Sequence, residues 1–385
     1  MNLLINPSSM VQGGYTPPPL GLLYIAAMDK DTEIYDDALY RSSYVPEELS
    51  PRVVGVGMCT SGRYNSLGYL REAKKRGAVT VTGGPHIAVM LDQMVEHYSD
   101  FIDYFVVGDG ELAWKAICDG KKLSHVIRMR VEDLDTLPLP AWAQVDFRKY
   151  PARGRGVHRG NNLSRLPRVP SILGRGCSGH CTFCSVWWVN GKSRHHGKEW
   201  IAANLAQLWK MGARHLEFQD DCLTNDREAT FVLCDMLEKY NFSWGGTTRS
   251  DKLDLELALR MAEVGCHRLA FGIESGSQKI LDRMHKQLDL AKSFEAREAC
   301  RKAGIHFTAL MMKNFPGTTP ETNKETEEFL VKLQPDSTGS VGATWVFPGT
   351  ALYQECKRAG LIDDSFWLGG KPYYIYRRGL DGPSG

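Results

Sequence analysis

Two runs of alternating short strands and amphipathic helices, joined by a stretch rich in proline, glycine and arginine, constrain this chain more than any other feature. In the first run "MNLLINP", "TEIYDDA", "RVVGVGMCT", "AVTVTGG" and "FIDYFVVGDG" read as strands. "PLGLLYIAAMDK", "NSLGYLREAKKRG", "LDQMVEHY" and "ELAWKAICDG" read as the helices that follow or separate them. This alternation predicts an α/β fold whose first domain, residues 1–125, is a doubly wound, Rossmann-like parallel sheet. Such sheets bind ligands beyond the carboxyl ends of their strands. Residues 126–168, with "LDTLPLPAW" and "YPARGRGVHRGNNLSRLPRVP", predict a linker. A second alternation occupies 169–360. Its strands are "PSILGRG", "RHLEFQDD", "FSWGGTTR", "HRLAFGIE", "HFTALMM" and "STGSVGATWVF", with helical patterns such as "EWIAANLAQLWKMG" and "DLELALRMAEVG" between them. Six such units predict a partial (β/α)6 barrel. Gly77, Gly212, Gly265 and Gly304 stand where helices would close. Residues 361–385 predict a short C-terminal tail that ends in a frayed "RRGLDGPSG".

With 43% hydrophobic residues in 385, each domain has apolar material for a core. The formal net charge is +2 and no basic run or acidic tail occurs, so neither nucleic acid nor a membrane is indicated as a partner. "MNLLINPSSM" is not the pattern of a signal peptide. No stretch approaches the apolar length of a membrane span. These features, in a chain with ten cysteines, predict a reducing cytoplasmic setting. Seven of the ten (Cys59, Cys118, Cys222, Cys234, Cys266, Cys300 and Cys356) are scattered and read as small buried hydrophobes.

The other three, Cys177, Cys181 and Cys184, form C-x3-C-x2-C in "GRGCSGHCTFCSVWW", directly after the first barrel strand. Loops after strands build the working face of a barrel. Three readings compete. A structural zinc needs four ligands, and His180, His195 or His196 would have to complete the set. A [4Fe–4S] cluster held by three thiolates keeps one iron without a protein ligand, open to a substrate. The plain alternative is three buried thiols without a metal. Spacing and position together favour the cluster.

A C-x3-C-x2-C loop after the first strand of a six-unit partial barrel resembles the radical S-adenosylmethionine (SAM) superfamily. The resemblance implies that the open iron binds SAM, whose reductive cleavage yields a 5′-deoxyadenosyl radical. It places Phe183 near the adenine. In "EFQDDCLTN" it puts Asp220 or Asp221 at the methionine end, where a carboxylate would accept from the ammonium; Asp221 or Thr224 could instead cap the next helix. In "TTRSD" it offers Arg249 to the SAM carboxylate, against the alternative of a surface salt bridge. In "FGIESGSQKIL" it brings Glu274 and Ser275 to the ribose, with Gly276 permitting close backbone approach. "MMKNFPGTTPET" departs from the family in having Asn314 where glycine is usual.

The first domain resembles the cobalamin-binding domain joined to radical SAM cores. Four segments carry the likeness: "TPPPLGLLYIAA" with Pro18, Leu20 and Gly21; "GMCTSGRYNSLGYL" with Thr60, Ser61, Arg63 and Tyr64; "VTGGPHIAVM" with Gly83, Gly84, Pro85 and His86; and "VVGDGELAWKAI" with Gly108, Asp109, Gly110 and Glu111. Glycines at strand ends let backbone amides approach a phosphate- or amide-rich ligand. No D-x-H-x-x-G run occurs, so the implied cobalamin is base-off with no histidine on cobalt. Arg63 or Tyr64 would face its lower side, and His86 reads as a turn residue. A GxGxxG turn is missing from the first strand–helix junction, which argues against a dinucleotide fold.

Taken together, the resemblance implies a cobalamin-dependent radical SAM methyltransferase acting on an unactivated carbon. A small molecule or peptide would be the substrate, and a flavodoxin or ferredoxin the electron donor. Cyclisation or rearrangement, a barrel without cobalamin, and a zinc-stabilised binding protein are the alternatives. Trp187, Trp188 and Trp345, near strand ends, could line an apolar pocket.

Overall fold

The computed structural model describes residues 1–8, 17–40, 50–150 and 157–377. Part of the expected linker, and the end of the expected tail, lie outside the described residues. The chain divides into two compact units. One takes in Met1–Pro151 with Trp188–Asn190 and Asp363–Tyr373, the other Ala152–Trp187, Gly191–Ile362 and Tyr374–Gly385.

In the first unit β1 (Asn2–Asn6), β2 (Thr32–Asp36), β3 (Val53–Gly57), β4 (Val79–Gly83), β5 (Tyr104–Gly108) and β6 (Val126–Met129) form one sheet in the order β2-β1-β3-β4-β5-β6. Every pairing is parallel. Near-continuous Val, Ile and Leu runs such as "VVGVG" suit strands covered on both faces. The longer helices are α1 (Leu20–Ala26), α2 (Arg63–Lys75), α3 (Pro85–Tyr98) and α4 (Glu111–Cys118). Ala26 of α1 and Ala113, Trp114 and Ile117 of α4 share a cluster with Leu4, Val53, Val81, Val106 and Ile127, so both helices cover one face. The strand order reverses between β1 and β3, the place where such sheets take ligands.

Two expected boundaries are corrected. The linker was expected from residue 126, but Val126–Met129 pairs with β5 and extends the sheet. A four-residue edge strand after a polar turn carries little periodicity of its own. Asp363–Tyr373, expected as tail, belongs to the first unit. Arg63, fully buried, holds it there: the guanidinium donates to the carbonyls of Phe366, Trp367, Gly369 and Lys371, and to that of Thr60.

In the second unit β7 (Val169–Ser171), β8 (His215–Phe218), β9 (Ser243–Thr248), β10 (Cys266–Glu274), β11 (His306–Lys313) and β12 (Ser337–Ala343) pair in chain order, all parallel. The helices include α5 (Lys198–Lys210), α6 (Arg227–Leu237), α7 (Leu255–Glu263), α8 (Leu290–Ala303), α9 (Pro320–Leu333) and α10 (Ala351–Arg358). This is the strand order of an open six-unit barrel, and all its strand ends share one edge. Gly304 closes α8 at φ 71° and Gly212 follows α5 at φ 89°, the left-handed backbone expected of them.

Candidate active site

The cysteine loop leaves β7 at that shared edge. Cys177, Cys181 and Cys184 are free and half-buried. A Cβ on Gly179 would stand 3.5 Å from Cys177 Sγ and 3.8 Å from Cys181 Sγ, so the two sulfurs flank a bare glycine. Among the described residues no three His, Cys, Asp or Glu side chains converge as ligands of a single metal ion would. A cubane spreads its protein ligands over different irons, so separated thiols suit it. Burial pushes the Cys184 thiol up to about 11 and raises Cys181. Cys177 moves the other way, because the thiol of Cys222 donates to it. Cys222, read from sequence as a filler, therefore supports the loop from the end of β8.

Asp220 and Asp221 follow β8, and both turn toward the loop rather than the next helix. Asp220 is buried; Oδ1 accepts from Leu173 N (3.1 Å) and Gly174 N (2.7 Å), and Oδ2 from Leu173 N (3.0 Å). Burial raises its pKa to about 7 against those bonds. This corrects the expectation for Asp220: its oxygens are taken by the backbone that starts the cysteine loop. Asp221 Oδ2 accepts from Gly176 N at 2.9 Å, one residue before Cys177. The helix cap expected of Asp221 or Thr224 is supplied by Asp226, which accepts from Ala229 N.

Arg249 follows β9 and is buried, which removes the surface-bridge alternative. It makes a two-point pair with Asp251 (2.9 and 3.1 Å), and Nη2 also donates to Gln287 O at 3.0 Å. Nη1 points the other way, 3.3 Å from where a Gly179 Cβ would be. One positive edge is thus laid against the thiols.

Glu274 ends β10 with a left-handed backbone, φ 71°, uncommon for a residue with a Cβ. Its Oε1 pairs with the buried ammonium of Lys286 at 3.0 Å. Burial pulls that ammonium's pKa down, and the charges of Glu274 and Cys181 more than reverse the effect. Lys286 Nζ also stands 5.9 Å from the centre of the Phe183 ring, which packs edge-on to Phe315. Ser275 Oγ reaches Thr326 Oγ1 (3.3 Å) and accepts from Ser277 N (3.1 Å). The close approach expected of a ligand at Gly276 is made instead by α9: a Cβ there would stand 2.5 Å from Phe329 Cβ and 2.7 Å from Thr326 Cα. Asn314 takes φ 57°, so it does the conformational work of the glycine it replaces. Lys286 escaped the sequence reading altogether.

A profile of the Radical SAM superfamily matches residues 171–330, the span from β7 into α9. Over that span the chain is similar to radical SAM enzymes. A protein of Pyrococcus horikoshii named as the uncharacterized methyltransferase PH0819 is 28% identical over 92% of this chain and 82% of its own length. Two solved structures share the fold across both units. TsrM from Kitasatospora setae, a radical SAM methyltransferase with cobalamin and a [4Fe–4S] cluster bound, superposes with TM-score 0.70 at 17% identity, covering 92% of this chain and 75% of TsrM. OxsB, a cobalamin-dependent SAM radical enzyme with aqua-cobalamin and SAM bound, gives TM-score 0.75 at 14% identity over 94% of this chain and 61% of OxsB.

The first unit also brings its four sequence segments to one sheet edge, beyond β1, β3, β4 and β5. Most of their glycines serve the protein itself. A Cβ on Gly84, at φ 105°, would stand 3.0 Å from Met58 O; one on Gly83, 3.1 Å from Val106 O; one on Gly110, 3.1 Å from Ile25 Cδ1. One on Gly108, at φ 93°, would overlap the Met129 carbonyl. Gly21 differs, being exposed with nothing within 4 Å of its Cβ position. Asp109 accepts from Val131 N at 2.8 Å. Pro18, Leu20 and Glu111 are buried around the starts of α1 and α4. Arg63 is corrected: its donors are spent on carbonyls, and it does not face a ligand. Tyr64 is 61% exposed, its ring 3.5 Å from a Cβ position on Gly370. His86 is also corrected, being not a turn residue but a buried member of α3; burial and then Arg63 lower its pKa to about 3. Its Nδ1 lies 3.2 Å from Thr60 Oγ1, and Ser61 Oγ is 3.6 Å from Cys59 Sγ.

The other sequence candidates have ordinary places. His196 stacks on Trp200 at 3.5 Å, and His180 packs on Trp187 at 4.1 Å. His195 lies 3.2 Å from Ser193 Oγ. Trp188 is 64% exposed and Trp345 meets Phe347 edge-on. No helix among the described residues is long and apolar enough to cross a membrane.

Proposed function

We propose that the chain is a cobalamin-dependent radical SAM methyltransferase that places a methyl group on an unactivated carbon of a small molecule or peptide, with electrons from a flavodoxin or ferredoxin. The observation that carries the reading is the edge beyond β7–β10, where three cysteines, Arg249 and the Glu274–Lys286 pair meet. When bound, the cluster and SAM supply radical chemistry and cobalamin supplies the methyl group.

The residues fit these groups. Cys177, Cys181 and Cys184 hold the cluster, around the space that Gly179 leaves. Asp221, Arg249, Glu274, Ser275 and Phe183 stand where SAM would lie, while Asp220 and Gly276 hold the loop and α9. The first unit is the cobalamin domain. Its helices α2, α3 and α4 begin at Gly62, Gly84 and Gly110 without a side-chain cap, so bare glycine backbone borders the edge where a phosphate- or amide-bearing ligand would approach. Pro18, Gly21, Thr60, Ser61, Gly84 and Pro85 border that edge. His86 at that edge is wholly buried and paired with Thr60.

Anaerobic purification from cobalamin-fed cells tests the reading. It expects corrinoid absorbance, about four irons per chain, and methylated product with S-adenosylhomocysteine when labelled SAM is supplied. Protein without corrinoid overturns the cobalamin assignment. A product formed without transfer of the labelled methyl group would mean cyclisation or rearrangement instead.

A further inference from the structure

The turn after the helix Gln278–Arg283 is where the barrel half spends most strain on one interaction. Six residues other than glycine take positive φ among the described residues, and three of them surround a single ion pair. Glu274 (φ 71°) carries the carboxylate, while His285 and Gln287 (both φ 50°) bracket Lys286. Such conformations persist only where the surroundings hold them, and they cluster at functional sites. The pair also occupies room that Gly272 leaves: a Cβ there would stand 2.7 Å from Glu274 Oε1 and 3.0 Å from Lys286 Nζ.

The same turn is fastened to the other parts of the site. Met284 O accepts from both the amide (2.9 Å) and the hydroxyl (3.3 Å) of Thr182, between Cys181 and Cys184. Gln287 O accepts from Arg249. The buried Lys286 ammonium therefore stands on a crosspiece that joins the cysteine loop, Arg249 and the end of β10. Nothing in the local pattern of "RMHKQLD" announces a buried cation.

We infer that Lys286 is a positioning residue with two effects. It holds Oε1 of Glu274, so the carboxylate presents only Oε2 to SAM. It also places a fixed positive charge beside the thiolate loop, which favours the more negative, reduced form of the cluster. The inference rests on the radical SAM reading of this site.

The test uses anaerobically reconstituted full-length protein. Wild type first: iron content, the midpoint potential by redox titration followed by electron paramagnetic resonance, and SAM affinity from the change in that signal. Wild type that takes up no cluster, or binds no SAM, overturns the site reading itself. With wild type loaded, Lys286→Met should keep its iron. Its midpoint potential should move to a more negative value, and SAM should bind about tenfold more weakly, the loss of one charge-fixed contact. Lys286→Arg should restore the potential and part of the affinity. Unchanged potential and SAM affinity in iron-loaded Lys286→Met overturns the inference. If that variant does not fold or load, Gly272→Ala decides: its methyl group pushes the pair apart without removing either charge. It should weaken SAM binding with iron content kept, and unaltered SAM binding then overturns the inference.

Discussion

The helices of the two units begin differently. In the second unit α6, α7, α8, α9 and α10 are capped by the side chains of Asp226, Asp254, Asp289, Thr319 and Thr350, while α5 starts at Gly197 without one. Each such cap stabilises a helix by about 1 kcal/mol. In the first unit α1 to α4 start at proline or glycine and have none. The barrel caps most of its helices with its own side chains and gathers a few charged side chains around the cysteines. The first unit starts its helices on bare glycine or proline backbone along one edge. A small charged ligand and a metal cluster call for the first solution. A large ligand with many carbonyl and amide groups calls for the second.

The comparison breaks most visibly at the cysteines. Cys177→Ala should abolish cluster uptake, so iron after reconstitution falls from about four per chain toward zero and SAM cleavage is lost. Cys59→Ala, at the exposed thiol beyond β3, should change neither. Full iron content in the Cys177 variant would remove the basis for reading the loop as the reactive centre.

Next in size is Arg63, the first unit's own fastening. Its guanidinium is buried without a carboxylate partner in hydrogen-bond reach and holds the 366–371 turn by carbonyls alone. Arg63→Met should destabilise the protein by about 3 kcal/mol in denaturant titrations, since charged donors buried against carbonyls are among the stronger hydrogen bonds. Iron uptake by the barrel should be unaffected. Loss of the cluster in this variant would contradict the separation of tasks between the two units.

Asp220 gives the second unit an effect that depends on pH. Its folded-state pKa is raised from 3.8 to about 7, chiefly by burial. A carboxyl with a raised pKa favours folding while protonated, so this contribution is present at low pH and is lost as pH rises from about 4 to 7. The metal-free protein should lose roughly 1 kcal/mol per pH unit from this group across that window. Asp220→Asn should flatten the curve. A wild-type stability that rises through the same window would show that the backbone bonds from Leu173 and Gly174 outweigh burial.

What could be read in the sequence follows from how local each signal is. All strands of the two sheets except the edge strand Val126–Met129 were legible because β-branched runs and closing glycines are local patterns. The cysteine loop was legible because its ligands lie within eight residues. Asp220 was seen, but its partners are backbone amides 46 and 47 residues earlier, which no local pattern encodes. Arg63 looked like a loop cation because all its acceptors but Thr60 O lie more than 300 residues away. Lys286 escaped the sequence reading because its burial depends on three segments folding onto one turn. The glycines of the first unit were legible as necessary, but not for what. Whether a missing side chain makes room for a ligand or for the protein's own carbonyl is a question of tertiary packing.

Two of those glycines separate the possibilities with the smallest change. Gly108→Ala puts a methyl group onto the Met129 carbonyl at φ 93°, so it should cost about 2 kcal/mol of stability by itself. Any weakening of corrinoid binding should follow that loss. Gly21 lies in α1, with open space at its Cβ position. Gly21→Ala should stabilise the ligand-free protein by roughly 0.5–1 kcal/mol through helix propensity, yet weaken corrinoid binding, because the open space is what the ligand would fill. Opposite signs for stability and affinity in this one variant would mark the edge beyond β1 as a binding surface. A Gly21→Ala protein that is more stable and binds corrinoid equally well would move the ligand off that edge and leave Gly21 an ordinary solvent-facing position.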